Sequence, residues 1–195
     1  MRFSGRELRD LLLAWLALGL AFALFFERVS PALLPAFLTS WQFVVAMGVS
    51  LVTVGVGFLL HELAHKVVAV RYGQHAEFRA DYTFLALAVA GGLAGFIFAA
   101  PGAVYHRGRL TDAQHGHIAL AGPVTNLALA VLFVPVLFVA PLVGQRGIQI
   151  NLLLAAFNML PIGGLDGRTV LDWSTLVYVL VTVPSVLLAV QVLFL

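Results

Sequence analysis

The sequence predicts an all-α polytopic membrane protein, and three observations carry that prediction. Of its 195 residues, 62% are hydrophobic and only 10% charged, whereas soluble domains run near a quarter charged. The 11 Lys+Arg and 9 Asp+Glu leave long uncharged stretches at 11–26, 29–60, 82–105, 118–145, 147–165 and 173–195. Several of these reach the roughly 20 residues that a helix needs to cross a bilayer core. Disorder and a soluble globular domain are thereby excluded. The net charge of +2, despite a pI of 9.4, is too small for a phosphate-binding surface, so no nucleic-acid partner is expected. With Cys 0 there is no disulfide framework, no thiolate metal site and no cysteine nucleophile.

No tract is polar and long enough to form a separate aqueous domain, so residues 1–195 read as one membrane-embedded domain. Arg2, Arg6 and Arg9 precede an uncharged stretch that ends at Glu27. It reads as a retained first helix, and the alternative is a signal peptide cleaved near Ala21-Phe22-Ala23. Pro31, Pro35 and Thr39-Ser40 mark a surface segment, after which a second helix starts near Trp41 and runs into His61-Glu62-Leu63-Ala64-His65. Lys66, Arg71 and Arg79 follow, which places that end on the cytoplasmic side.

From Glu77 to Phe84 polar and apolar residues alternate with period two, the signature of a strand. Gly91, Gly92, Gly95 and Pro101-Gly102 then interrupt an apolar stretch, which reads as a re-entrant segment. Helices at 117–140 and 148–165 follow, joined by a Pro141–Gly147 turn, and a last helix spans about Thr175–Leu195 with Pro184 inside it. The expected architecture is therefore about five transmembrane helices, a re-entrant segment and a small β-hairpin near the cytoplasmic interface. Strands near Glu77–Phe84 and Ile97–Tyr105 should pair and leave an edge for an extended peptide.

The sharpest chemical signal is His61-Glu62-Leu63-Ala64-His65. Residues four apart share a helix face, so both imidazoles can hold one Zn²⁺. Glu62 lies beside the first ligand, where it can take a proton from a water that the metal activates. With 6 His and 4 Glu, chance gives such a match in only about a few per thousand chains of this kind. Ionisable residues in a membrane helix are costly and point to function. A catalytic zinc wants three protein ligands, and the remaining candidates are His75, His106, His115, His117 and the carboxylates. Among these Asp166 stands out, because it ends an uncharged stretch within Asn158-Met159-Leu160-Pro161-Ile162-Gly163-Gly164-Leu165-Asp166-Gly167. The plainer reading of Asp166 is an interfacial aspartate that ends a helix.

His61–His65, the Asn158…Pro161…Asp166-Gly167 pattern and Gly122-Pro123-Val124-Thr125-Asn126 together resemble the site-2 proteases, intramembrane zinc metalloproteases, in their compact prokaryotic form. The resemblance covers about residues 55–172, and the catalytic core is expected at about 41–172. It implies one zinc per chain held by His61, His65 and Asp166, with Glu62 as catalytic base. Asn126 and Asn158 would orient substrate or stabilise an oxyanion, or else serve as interhelical hydrogen-bonding groups. Unlike larger members of that family, these 195 residues are expected to carry no PDZ or CBS insertion. The implied partner is a transmembrane segment of another protein, often one already trimmed by an earlier protease, within the lipid bilayer of the cell. Two other classes compete: a zinc transporter, and a non-catalytic relative that only binds transmembrane segments. Glu62 beside His61 has a hydrolytic role that neither needs.

The charges also predict a topology. With the N-terminus cytoplasmic, the first helix runs outward and the second returns the His motif toward the cytoplasm. If 84–103 crossed fully, Asp166 would emerge on the far side of a core about 30 Å thick. If it enters and returns, Asp166 comes back to the histidines, and only Arg28 and Arg146 among the basic residues remain outside.

Overall fold

The structure, a computed structural model, describes residues 2–96 and 101–194. The described residues are mainly helical, with one two-stranded antiparallel sheet among them. Among the described residues, four helical stretches are long and apolar enough to cross a membrane: Gly5–Phe26, Trp41–Arg71, Asp112–Phe138 and Thr175–Val192. The chain divides into two compact units, one of Phe3–Val56 with Phe78–Ala103, the other of Met1–Arg2, Gly57–Glu77 and Val104–Leu195.

In the first unit, α1 (Gly5–Phe26) starts where the Ser4 side chain accepts from the Glu7 N–H, satisfying one of the donors that open a helix. A turn of 3₁₀-helix at Pro31–Leu33 and the short α2 (Leu34–Leu38) form the expected surface segment. Ser40 caps α3 (Trp41–Ser50) by accepting from the Phe43 N–H. Ala23, Leu24, Val29, Phe37 and Ala46 bury together there. A π-helical turn, Leu51–Gly55, leads into α4 (Val56–Arg71), and the indole N–H of Trp15 donates to the Leu51 carbonyl at 3.0 Å. Such wide turns leave carbonyls short of partners, and Trp15 supplies one.

Strand β1 (His75–Ala80) is shorter than the expected Glu77–Phe84. The cause is Asp81, whose carboxylate accepts from the Thr83 and Phe84 N–H groups and turns the chain into α5 (Tyr82–Ala94). At 13 residues α5 is about 20 Å long, short of a bilayer core. Strand β2 (Gly102–Arg107) pairs with β1, and the Asp81 N–H donates to the Pro101 carbonyl at the sheet's end. Ile97–Ala100, the start of the expected second strand, lie outside the described residues. The other edge of β1 is closed by α1: Glu7 accepts from the Phe78 N–H and Asp10 from the Ala80 N–H.

In the second unit, a Thr111–Gln114 capping box opens α6 (Asp112–Phe133). Residues 141–147 form no turn. Pro141, whose missing N–H is harmless at a first helical position, starts α7 (Pro141–Asn158). This helix falls outside the four apolar spans because it carries Gln145, Arg146, Gln149 and Asn151. It packs against α6 and α9 (Thr175–Phe194), where Asn151 meets Asn126 and Gln149 donates to the Val192 carbonyl at 3.1 Å. Ala130, Leu152, Ala156 and Ala189 are buried at that packing. Nor does α7 run on to residue 165. It stops at Asn158, and after a loop Asp166 begins a new helix, α8 (Asp166–Trp173). Gly167 lets α8 close on the end of α7, since a Cβ there would stand 2.2 Å from the Met159 carbonyl oxygen.

Candidate metal centre

Three side chains from two helices converge in the second unit. His61 and His65 lie one turn apart on α4, with ring centroids 4.6 Å apart, and Asp166 comes from the first position of α8. The Asp166 Oδ2 atom is 3.3 Å from His61 Nε2 and 3.4 Å from His65 Nε2. These separations are long for charge-assisted hydrogen bonds, which run about 2.7–2.9 Å. They match the spacing of ligands around a common ion: two atoms about 2.0–2.1 Å from a tetrahedral zinc stand about 3.3–3.4 Å apart. One ligand atom of each residue lies within 4.8 Å of the others, so the group can hold a metal ion.

Both rings are held by acceptors on the side away from Asp166. His61 Nδ1 is 2.6 Å from Asn126 Oδ1, and His65 Nδ1 is 2.7 Å from the Ile118 carbonyl oxygen. A carbonyl there accepts only from an N–H. Each Nδ1 therefore carries the proton and each Nε2 keeps its lone pair for a metal, as in metal-binding histidines whose other ring nitrogen donates to a carbonyl.

The surroundings fit a metal in two further ways. Glu62 is buried, and its Oε2 has no hydrogen-bond partner among the described residues. A buried, unpartnered carboxylate oxygen is costly unless a cation or an ordered water meets it. Gly122 of α6 makes the space: a Cβ there would stand 2.4 Å from His65 Nε2 and 2.5 Å from His61 Nε2. Any side chain would fill the place where the two lone pairs point.

The other histidines do not join the cluster. His106 on β2 faces His115 on α6 with ring centroids 5.3 Å apart, and burial, then the neighbouring His115, lower its pKa. His117 Nδ1 is 2.6 Å from the Tyr72 hydroxyl and its ring meets Trp173 edge-on. His75 is in β1.

The two motif asparagines differ. Asn126 is fully buried, and its Nδ2 donates to the Gly57 carbonyl at 3.2 Å and to Asn151 Oδ1 at 2.9 Å. Asn158 is half-buried at the end of α7, and its Nδ2 donates to the Leu154 carbonyl at 2.9 Å. Asn151, which sequence reading passed over, is fully buried and donates to the Gly147 carbonyl at 2.8 Å. Its one signal was an amide set between apolar Ile150 and the apolar run Leu152–Phe157.

A helix-borne His-Glu-x-x-His pair completed by a distant aspartate, in a chain of membrane-length helices, is the site of a metalloprotease class. The sequence comparison agrees. The chain is 41% identical over 193 residues to "Putative zinc metalloprotease MJ0611" of Methanocaldococcus jannaschii, an alignment spanning 95% of this chain and 93% of that protein. No family model and no solved structure matches. The chain belongs to the site-2 protease family of zinc metalloproteases, in its compact form.

Proposed function

We propose that this protein is an intramembrane zinc endopeptidase that hydrolyses peptide bonds in or near transmembrane segments of other membrane proteins. The observation that carries the reading is the convergence of His61 Nε2, His65 Nε2 and Asp166 Oδ2, with a carboxylate on the same helix, that of Glu62, whose Oε2 has no hydrogen-bond partner among the described residues. Zinc held there would polarise a scissile carbonyl and bring the pKa of a water toward 7. Glu62 is the general base. It takes the proton from the attacking water and passes one to the leaving amine. Its neighbours support that role, because no hydrogen bond occupies Oε2. Asn158 keeps a partly accessible amide and is the asparagine we assign to substrate; Asn126, with both ends of its amide engaged, acts on His61.

The proposed topology has five spans, with α7 as the fifth, in a cell membrane. Its 18 residues make it about 27 Å long. The N-terminus and the active-site end of α4 are cytoplasmic. Lys66, next to His65, donates to the Arg2 carbonyl at 2.9 Å, which supports a common side for the two. The segment between β1 and β2 enters and returns. The pairing of its flanking strands and the shortness of α5 support that path. With the crossing removed, α6 leads away from the histidines and α7 returns the chain to Asp166. The partner is a transmembrane segment, unwound where it is cut.

The test is cleavage of a transmembrane peptide by the purified chain in detergent. Activity should disappear with a zinc chelator and return with added zinc. Cleavage unaffected by the chelator would overturn the reading.

A further inference from the structure

We infer that Asn151 is a positioning residue for the metal centre: it fixes the sense of the Asn126 amide and, through it, the tautomer of His61. The inference rests on the metal-site reading above. Four groups form a line. The Gly147 carbonyl accepts from Asn151 Nδ2 at 2.8 Å, Asn151 Oδ1 accepts from Asn126 Nδ2 at 2.9 Å, and Asn126 Oδ1 stands 2.6 Å from His61 Nδ1. A backbone carbonyl can only accept, so the first group sets the direction of every bond after it. Asn151 must present its oxygen to Asn126, Asn126 must present its oxygen to His61, and His61 must carry its proton on Nδ1. The lone pair of Nε2 is then available on the side of Asp166.

The need for such a device follows from the partner that His61 has. His65 leans on a backbone carbonyl, that of Ile118, which has no alternative orientation. An asparagine amide has two. Turned over, Asn126 would aim an N–H at His61 Nδ1, favouring the tautomer with its proton on Nε2, where a metal could not bind. It would also set its oxygen against the Gly57 carbonyl. Asn126 and Asn151 are both fully buried, so no bulk water can substitute for a lost partner. The carbonyl of Gly57 and the amide of Asn151 thus hold Asn126 in the productive sense, and Asn151 is the only one of the two that a substitution can remove.

The experiment uses the full chain in detergent and reads zinc affinity by competition with a chromophoric chelator. Asn151→Leu should weaken zinc binding about 10–100-fold, the usual cost of losing an outer-shell partner. Asn151→Asp keeps an oxygen facing Asn126 but sets its other oxygen against the Gly147 carbonyl, and should lose less affinity than Asn151→Leu. In an Asn126→Asp background His61 meets a carboxylate that only accepts, and Asn151→Leu should then cost no further affinity. A folded Asn151→Leu protein with wild-type affinity overturns the inference, as does equal loss in both backgrounds. Nitrogen-15 NMR of the unsubstituted, metal-free chain adds a readout that needs no variant. His61 should be protonated on Nδ1, and an Nε2-protonated ring overturns the inference. His65→Ala separates the two readings: undiminished zinc affinity there overturns the metal site itself and this inference with it, whereas lost affinity there beside an unaffected Asn151→Leu overturns the inference alone.

Discussion

Gly122 on α6 faces the metal-directed nitrogen of His65 so closely that a Cβ on the glycine would lie 2.4 Å from it. The same atom would lie 2.5 Å from His61 Nε2. Gly122→Ala should therefore abolish tight zinc binding, although it adds a single methyl group to a helix and favours helix formation by about 1 kcal/mol. Metal analysis after gel filtration checks this. A full equivalent of zinc on folded Gly122→Ala protein would show that α6 does not close over the site.

Glu62→Gln separates base from ligand. The group that can hold a metal is His61, His65 and Asp166, without Glu62, so the variant should keep its zinc. Turnover should fall about 10²–10⁴-fold, toward the upper end because the cluster's own carboxylate, Asp166, faces the two imidazoles and is not free to act as the base. Single-turnover peptide cleavage in metal-replete detergent gives the answer, and near-wild-type rates would remove Glu62 from the mechanism.

The re-entrant path predicts that Gln74 and Gln114, which flank it, lie on one side of the membrane. The chain has no cysteine, so single-cysteine variants report cleanly. Gln74→Cys and Gln114→Cys should both react with an impermeant maleimide from the same face of sealed vesicles. Reaction from opposite faces would mean that the segment crosses.

Glu7 and Asp10 seal one edge of β1. Glu7 is 1% exposed and accepts from the Phe78 N–H at 3.0 Å; Asp10 accepts from the Ala80 N–H at 3.3 Å and the Tyr82 hydroxyl at 2.7 Å. Glu7→Leu leaves a buried N–H without its acceptor and should cost about 1–3 kcal/mol. Asp10→Leu removes two such bonds and should cost more. Denaturation in detergent reads both, and wild-type stability in either would mean that water replaces the carboxylate. Because this edge is occupied, extended substrate should add to β2.

Much of the site was legible because its spacing is dictated by helix geometry. His61 and His65 are four apart, and that alone fixes a shared face. Asp166 was legible as a ligand through family resemblance and its place after an apolar run. The loop that carries it was masked by its hydropathy: Asn158–Leu165 is apolar, but Pro161, Gly163 and Gly164 oppose a helix there, and Gly163 takes a positive φ of 56°. Period two announced β1 but could not reveal that the Asp81 side chain would end it. The π-helical turn at Leu51–Gly55 has no signature in an apolar run, because it is defined by a carbonyl that Trp15 reaches from another helix. The amide of Asn151 stood out in its apolar run, but its role did not, since that lies in a partner 25 residues away on another helix, which spacing does not encode.

The most direct test of the whole account is the zinc content of Asp166→Ala, compared with the unsubstituted chain after removal of loosely bound metal. Asp166 is the ligand that the fold must carry back to the histidines from another helix, so it tests the site and the path of the chain together. The account predicts about one zinc per unsubstituted chain and almost none on the variant, since two imidazoles leave a catalytic zinc one protein ligand short. A full, tightly held equivalent on Asp166→Ala would contradict it.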